Sequence, residues 1–147
     1  MTLKASTGLR NQLLETNSLK TILAAGFIKI YSGTPPTSAD DAIAAGNTLL
    51  TTITAAAGAG LTMGVAANGA LPKNAAEAWS GVNVAGGVAS FYRHVAVGDT
   101  GVSSATQARV QGTISTIGDD MNITAGTTLA NGATQTLNLY QLYLPTL

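Results

Sequence analysis

His94 is the only histidine in the chain, so any imidazole chemistry has to run through it. Ser90 and Asp99 flank it in sequence and would complete a nucleophile–histidine–acid set. In an extended strand, however, Ser90 and His94 are same-face neighbours ~13 Å apart, at ~3.3 Å per residue. A histidine activates a hydroxyl only within hydrogen-bond reach, about 3 Å. The spacing therefore reads as a structural or interface histidine. A lone histidine cannot build a histidine metal cluster within one chain. The absence of cysteine removes thiolate nucleophiles, disulfides and zinc–thiolate sites.

Two pairs of adjacent acids, Asp40-Asp41 and Asp119-Asp120, are the candidates for a hard cation. Calcium loops space their ligands at alternate positions around a glycine, and neither "SADDA" nor "GDDMN" does so. Aspartate also closes turns and caps helices through nearby backbone N–H groups, which is the role this spacing predicts. "GAGLTMG", residues 58–64, has the look of a phosphate loop. The dinucleotide fingerprint requires G-x-G-x-x-G between a strand and a helix. Here the last spacing is one residue too long and no helical pattern follows. Trp79 and the tyrosines 31, 92, 140 and 143 could stack on sugars or bases. With aromatics at 5% of the chain, core and interface anchoring is the expected use. No constellation supports an enzyme, a cofactor or a small-molecule substrate.

The elements that must position these residues follow from periodicity. Leu9, Leu13 and Leu14, then Leu19, Ile22 and Leu23, recur at helical spacing. They predict two short helices, or one interrupted at Thr16-Asn17, with Thr7 capping the first, Asn17 or Ser18 the second, and Gly26 as a C-terminal cap. "FIKIYSG" alternates as a strand. "IYSGTPPTSADDAIAAG" then breaks regular pairing at Pro35-Pro36, and "SADDAIAAG" reads as one or two helical turns between Ser38 and Gly46. "NTLLTTITA" is a further strand. Short strands are expected near Leu61–Val65 and Ala70–Leu71, about a turn at Asn68-Gly69. "GVASFYRHVAV" is the clearest strand and "ARVQGTIST" another. "TQTLNLYQLYLP" shifts its apolar phase between Leu139 and Leu142, which suggests a bulge or burial on both faces. The sum is a mainly β chain. A β-sandwich or jelly-roll-like domain over residues 27–147 follows an N-terminal helical segment, residues 1–26.

Composition narrows the function. Among 147 residues only 10% are charged, seven basic against seven acidic, while 46% are hydrophobic. An average soluble domain is about 25% charged. A monomer with few charges and no net charge is poorly soluble, so partners are expected to cover much of this surface. The cations are scattered from Lys4 to Arg109, unlike the clusters that neutralise a phosphate backbone, which argues against nucleic acid. No apolar run reaches the ~18 residues of a membrane span. No secretion signal opens the chain, so a cytosolic product without export is the expectation.

The segments "LRNQLLETNSLKTILAAGFIKIYSGTPPTSADDAI", "LLTTIT", "AAEAWSG" and "GGVASFYRHVAVGDTG" together resemble a family of small virion structural proteins of tailed bacteriophages. The likeness continues through "RVQGTISTIGDDMNIT" and "GATQTLNLYQLYLP". Residues 55–74 depart from the family's shorter version. The resemblance implies a capsid decoration, or cement, protein that dimerises or forms another small homo-oligomer. It would brace the shell of the major capsid protein between capsomers, on the virion surface. Alternatives are a neck or tail component, or a receptor- or carbohydrate-binding appendage. The family has no catalytic residues to carry over. Two contact zones are expected: the helical segment through Leu9, Leu13, Leu19 and Ile22, and the loop from residue 32 to 46 with Tyr31, Pro35 and Pro36. Trp79 is the further candidate anchor.

Overall fold

The computed structural model describes residues 3–144. Strand β1 (Lys4–Ala5) precedes helices α1 (Thr7–Glu15) and α2 (Leu19–Ile22). Strands β2 (Phe27–Ser32), β3 (Thr48–Ile53), β4 (Ala70–Pro72), β5 (Trp79–Val82) and β6 (Gly87–Val95) follow. The rest are β7 (Arg109–Ser115), β8 (Met121–Asn122), β9 (Thr128–Leu129), β10 (Thr134–Leu137) and β11 (Gln141–Tyr143). The fold is mainly β, with antiparallel sheets behind a short helical start, as the periodicity leads one to expect.

Both helices begin where a serine can accept from an N–H three residues on. Ser6, one residue before the expected Thr7, accepts from Leu9, and Ser18 accepts from Thr21. At the end of α2 it is Ala25, at φ 59°, that turns left-handed, and not Gly26. Gly26 is required for another reason: a Cβ there would sit 2.1 Å from the Val95 carbonyl oxygen.

The main sheet has the order β1-β7-β6-β2-β3, with β8 parallel to β7 and β9 beside β6. Its register places Ile28, His94 and Val110 across from one another, and likewise Ile30, Tyr92 and Gly112. This face packs on the core. The opposite face carries Lys29, Arg93 and Gln111 in one row and Tyr31, Phe91 and Thr113 in the next. At its far edge β3 continues into a second layer. Thr54 and Ser80 exchange two backbone bonds, and Val84 donates to Leu50, so β5 runs along β3 and β10 runs along β5. Gly81 permits that approach, since a Cβ would lie 2.2 Å from the Thr52 carbonyl oxygen. The β4–β11 ribbon adds Leu71 and Leu142 to the same core.

Three sequence expectations change. The stretch "SADDAIAAG" holds turns and extended chain instead of helix: Asp41 accepts from the Ser38 N–H and Ser38 Oγ from the Asp40 N–H. The phase shift in "TQTLNLYQLYLP" is neither bulge nor two-faced burial but a change of partner, from β5 to β4, across Asn138–Tyr140; Pro145 lies outside the described residues. The helical segment also does not stand apart from the β-domain. Leu9, Ile22 and Leu23 belong to the same buried cluster as Ile28, Trp79 and Val110, and β1 pairs with β7.

Candidate functional site

The residues with chemical potential are not brought together. His94 sits in the core, with Nδ1 3.2 Å from the Tyr140 hydroxyl, and the rings of Trp79 and Tyr140 meet it edge-on at 6.5 and 5.5 Å. Its Nε2 has no hydrogen-bond partner among the described residues. Burial alone holds its pKa down, to about 3, so the imidazole is neutral at ordinary pH. Ser90 Oγ donates instead to the carbonyls of Gly33 and Tyr31. Asp99 is engaged by Arg109, Nε to Oδ2 at 2.5 Å.

Of the paired acids Asp41 closes a turn at Ser38, while Asp40 and Asp120 each tie down a different element. Asp40 accepts from the N–H and hydroxyl of Thr7, at 2.8 and 2.6 Å, which ties the loop to the first residue of α1. Those bonds, the Thr7 hydroxyl foremost, hold the Asp40 carboxyl below the usual range. Asp120 accepts from the N–H and hydroxyl of Thr113. Among the described residues no group of three or more histidines and acids could hold a metal. In "GAGLTMG", Gly60 lets the chain touch Ala25 and Gly64 lets it touch β4, so two of its glycines serve close packing.

Trp79 changes role. Its ring is fully buried, Nε1 donates to Glu77 Oε2 at 2.7 Å, and Lys73 Nζ lies 5.4 Å from the ring centroid. It anchors the core and offers no stacking surface or partner contact. Tyr31 is likewise closed in, stacked on Phe91 with centroids 5.1 Å apart. Leu9 and Ile22 are core side chains as well. A side chain already closed in by its own chain cannot also anchor a partner. In the single chain these four side chains serve the core, and Leu9 also floors an apolar recess.

Residues 33–47 lie as a strap over the polar face of the main sheet. Gln111 Nε2 donates to the Pro36 carbonyl at 2.7 Å, and Arg93 donates to the Ser38 carbonyl and to Gln111 Oε1. Arg109 reaches the carbonyls of Ala39, Asp40 and Val102, besides Asp99 and Gln107. Both arginines are buried. Burial, and then the neighbouring Arg109, lower the Arg93 pKa. A proline-broken loop buried over a sheet leaves carbonyls unpaired, and long cationic side chains reach them. Sequence reasoning missed this layer. Its signal is that "FYRHV" and "RVQG" carry Arg or Gln between residues that alternation assigns to two covered faces. Pro35 and Pro36 are half-buried in the strap.

What remains exposed is apolar. Leu14, Val65 and Ile117 are 80–85% exposed, and Val82, Val84, Val88, Val97, Val102, Leu139, Tyr143 and Leu144 are more than half exposed. Leu13 and Leu19 are brought together here. With Leu3 and Leu144 they edge an apolar recess of about 90 Å³, floored by Leu9 and Leu142. That is less than the roughly 150 Å³ of a cavity that accepts benzene, so it has room for one aliphatic side chain. A longer groove of about 340 Å³ separates residues 121–125 from residues 135–139 over a floor of Ile30 and Ile53. It continues past Leu137 and Leu139 toward Tyr143. No helix among the described residues is long and apolar enough to cross a membrane. Comparisons with protein-family models, curated proteins and solved structures gave no match to this chain.

Proposed function

We propose that the chain is a non-enzymatic structural protein that works by covering and being covered. Its best-fitting role is a decoration protein on the capsid of a tailed bacteriophage, bound between capsomers of the major capsid protein. One observation carries the reading. Of fourteen charged residues, Arg93 and Arg109 are withdrawn from the surface to pin the strap, while large aliphatic side chains stay outside. Where such side chains gather, as Leu3, Leu13, Leu19 and Leu144 do around their recess, they suit a protein–protein contact. A neutral contact face avoids the desolvation penalty of burying unpaired charge. On a shell many weak contacts of this kind combine through multivalency.

The test is occupancy. Purified protein is mixed with expanded shells of the major capsid protein encoded beside it, sedimented, and quantified per particle. Hundreds of copies per shell are the expected result. A dozen or fewer would move the chain to a neck or tail position, and no binding would remove the virion reading. The carbohydrate alternative loses its main support with Trp79, which has no exposed face to offer a sugar.

A further inference from the structure

We propose that the groove between β8 and β10 is a strand-acceptor site that takes an extended, uncharged segment of the protein on which this chain assembles. The inference rests on the structural role above and names the kind of contact that would carry it.

Five adjacent strands, β7, β6, β2, β3 and β5, carry β8 at one end of the series and β10 at the other. The groove is the gap between those ends. Both are backbone edges. On β8, Ile123 donates to the Ser115 carbonyl, so alternation turns the N–H and C=O of Asn122 toward the gap, while Thr124 lies in the turn that Gly126 closes onto the Ile123 carbonyl. On β10, Ala133 accepts from Asn83 beside the β5 ladder, so Thr136 and Asn138 turn toward it from the other side. None of Asn122, Thr136 and Asn138 makes a backbone hydrogen bond across the gap. Strand directions alternate from β7 to β10, so β8 and β10 run antiparallel. An inserted strand would be antiparallel to one and parallel to the other, pairing with both.

The lining selects the occupant. Ile30, Ile53 and Met121 form an apolar floor, and no charged residue lines the 340 Å³ portion. Asp120, on the continuation, is already bonded to Thr113. A charged segment would find no counter-charge there, whereas a neutral strand with alternate apolar side chains would place them on the floor. Every strand among the described residues is already paired, so none of these is free to fill the gap. A second copy could bring only another finished edge, and edge-to-edge pairing would leave the floor unfilled. The donor is therefore an extended arm or loop of a different protein.

The probe is a blocked octapeptide of alternating valine and threonine, titrated into the full ¹⁵N-labelled chain. Backbone-dominated recognition should slow amide exchange at Asn122 and Thr136 and leave Val97, on a distant loop, unchanged. Thr136→Pro, which removes one edge N–H, should weaken binding by roughly tenfold, the worth of about one hydrogen bond. Absence of protection at millimolar peptide, protection elsewhere, or concentration-dependent self-association through β10 would each overturn the proposal. Should the proline variant not fold, protection in the wild-type chain decides alone. Shell sedimentation separates the two readings. If wild type and a folded Thr136→Pro bind shells equally, the groove proposal falls and the structural role stands. If wild type does not bind shells but the peptide still protects the groove, the virion role falls and the acceptor site stands.

Discussion

Acidifying the solution tests the core through a single group. In the folded chain His94 is sealed among Trp79, Tyr92 and Tyr140, and its pKa is pushed from 6.5 to about 3 by burial. The unfolded chain titrates it near the ordinary value. Above pH 6.5 neither state is protonated and stability does not depend on this residue. As pH falls from 6.5 toward 3, the unfolded state takes up a proton that the folded state refuses, so stability falls by about 1.4 kcal/mol per pH unit. Between pH 7.5 and 4.5 the loss is about 3 kcal/mol, a large share of the 5–15 kcal/mol of a typical domain. Carboxylates titrate mostly below this window, and His94 is the only histidine, so the slope belongs to one residue. Urea unfolding at half-unit steps of pH measures it, with His94→Gln as the control. The variant should be less stable near neutral pH, but its stability should be flat from pH 7.5 to 5. A flat wild-type profile, or an equal slope in the variant, would refute the sealed imidazole.

Ser6→Ala should destabilise by about 2–4 kcal/mol in chemical denaturation, because Ser6 Oγ both caps α1 and accepts from the buried Arg109 N–H at 2.9 Å. Asp99→Asn should cost about 3–5 kcal/mol by leaving the Arg109 guanidinium buried without its counter-charge. Adding Arg109→Met to that variant should restore much of the loss, a double-mutant cycle readable by thermal melting. Gly81→Ala should cost at least about 2 kcal/mol, since the obstacle to its Cβ is the Thr52 backbone and not a movable side chain. An unchanged melting temperature would show that β3 and β5 are not held together as described.

Local signals were legible and long-range satisfaction was not. The alternation of "FIKIYS" and "GVASFYRHV" marks two central strands, and Ser18 followed by Leu19, Ile22 and Leu23 marks a capped helical turn, because each depends on neighbours within a few positions. "SADDAIAAG" misleads for the opposite reason. Its serine and acids suit a helix start, yet the carbonyls of Ser38, Ala39 and Asp40 are taken by Arg93 and Arg109 from 55 to 70 residues away, which removes any need for internal helical bonds. Trp79 carries no sequence mark of burial, since an isolated tryptophan serves a core or a binding face equally well. For the candidate site, Leu13 and Leu19 could each be placed on the apolar side of its own helix from spacing. The groove could not, because it depends on β8 and β10 failing to meet, and that follows from the path of five intervening strands.

The strap also sets an order of events. Gln111 and the two arginines sit on strands that must already be paired before Pro36, Ser38 and Ala39 have anything to dock against, and the contacts between them span more than fifty residues of chain. Closing so large a loop is entropically unfavourable until the sheet exists to reward it. Until then the guanidinium groups remain solvated and the sheet's polar face stays wet. Seating the strap is thus a late step on the folding path. Weakening its carbonyl contacts should shorten the lifetime of the native state while leaving the rate of its formation nearly unchanged. In the capsid role proposed above, persistence of this kind would matter more than equilibrium stability.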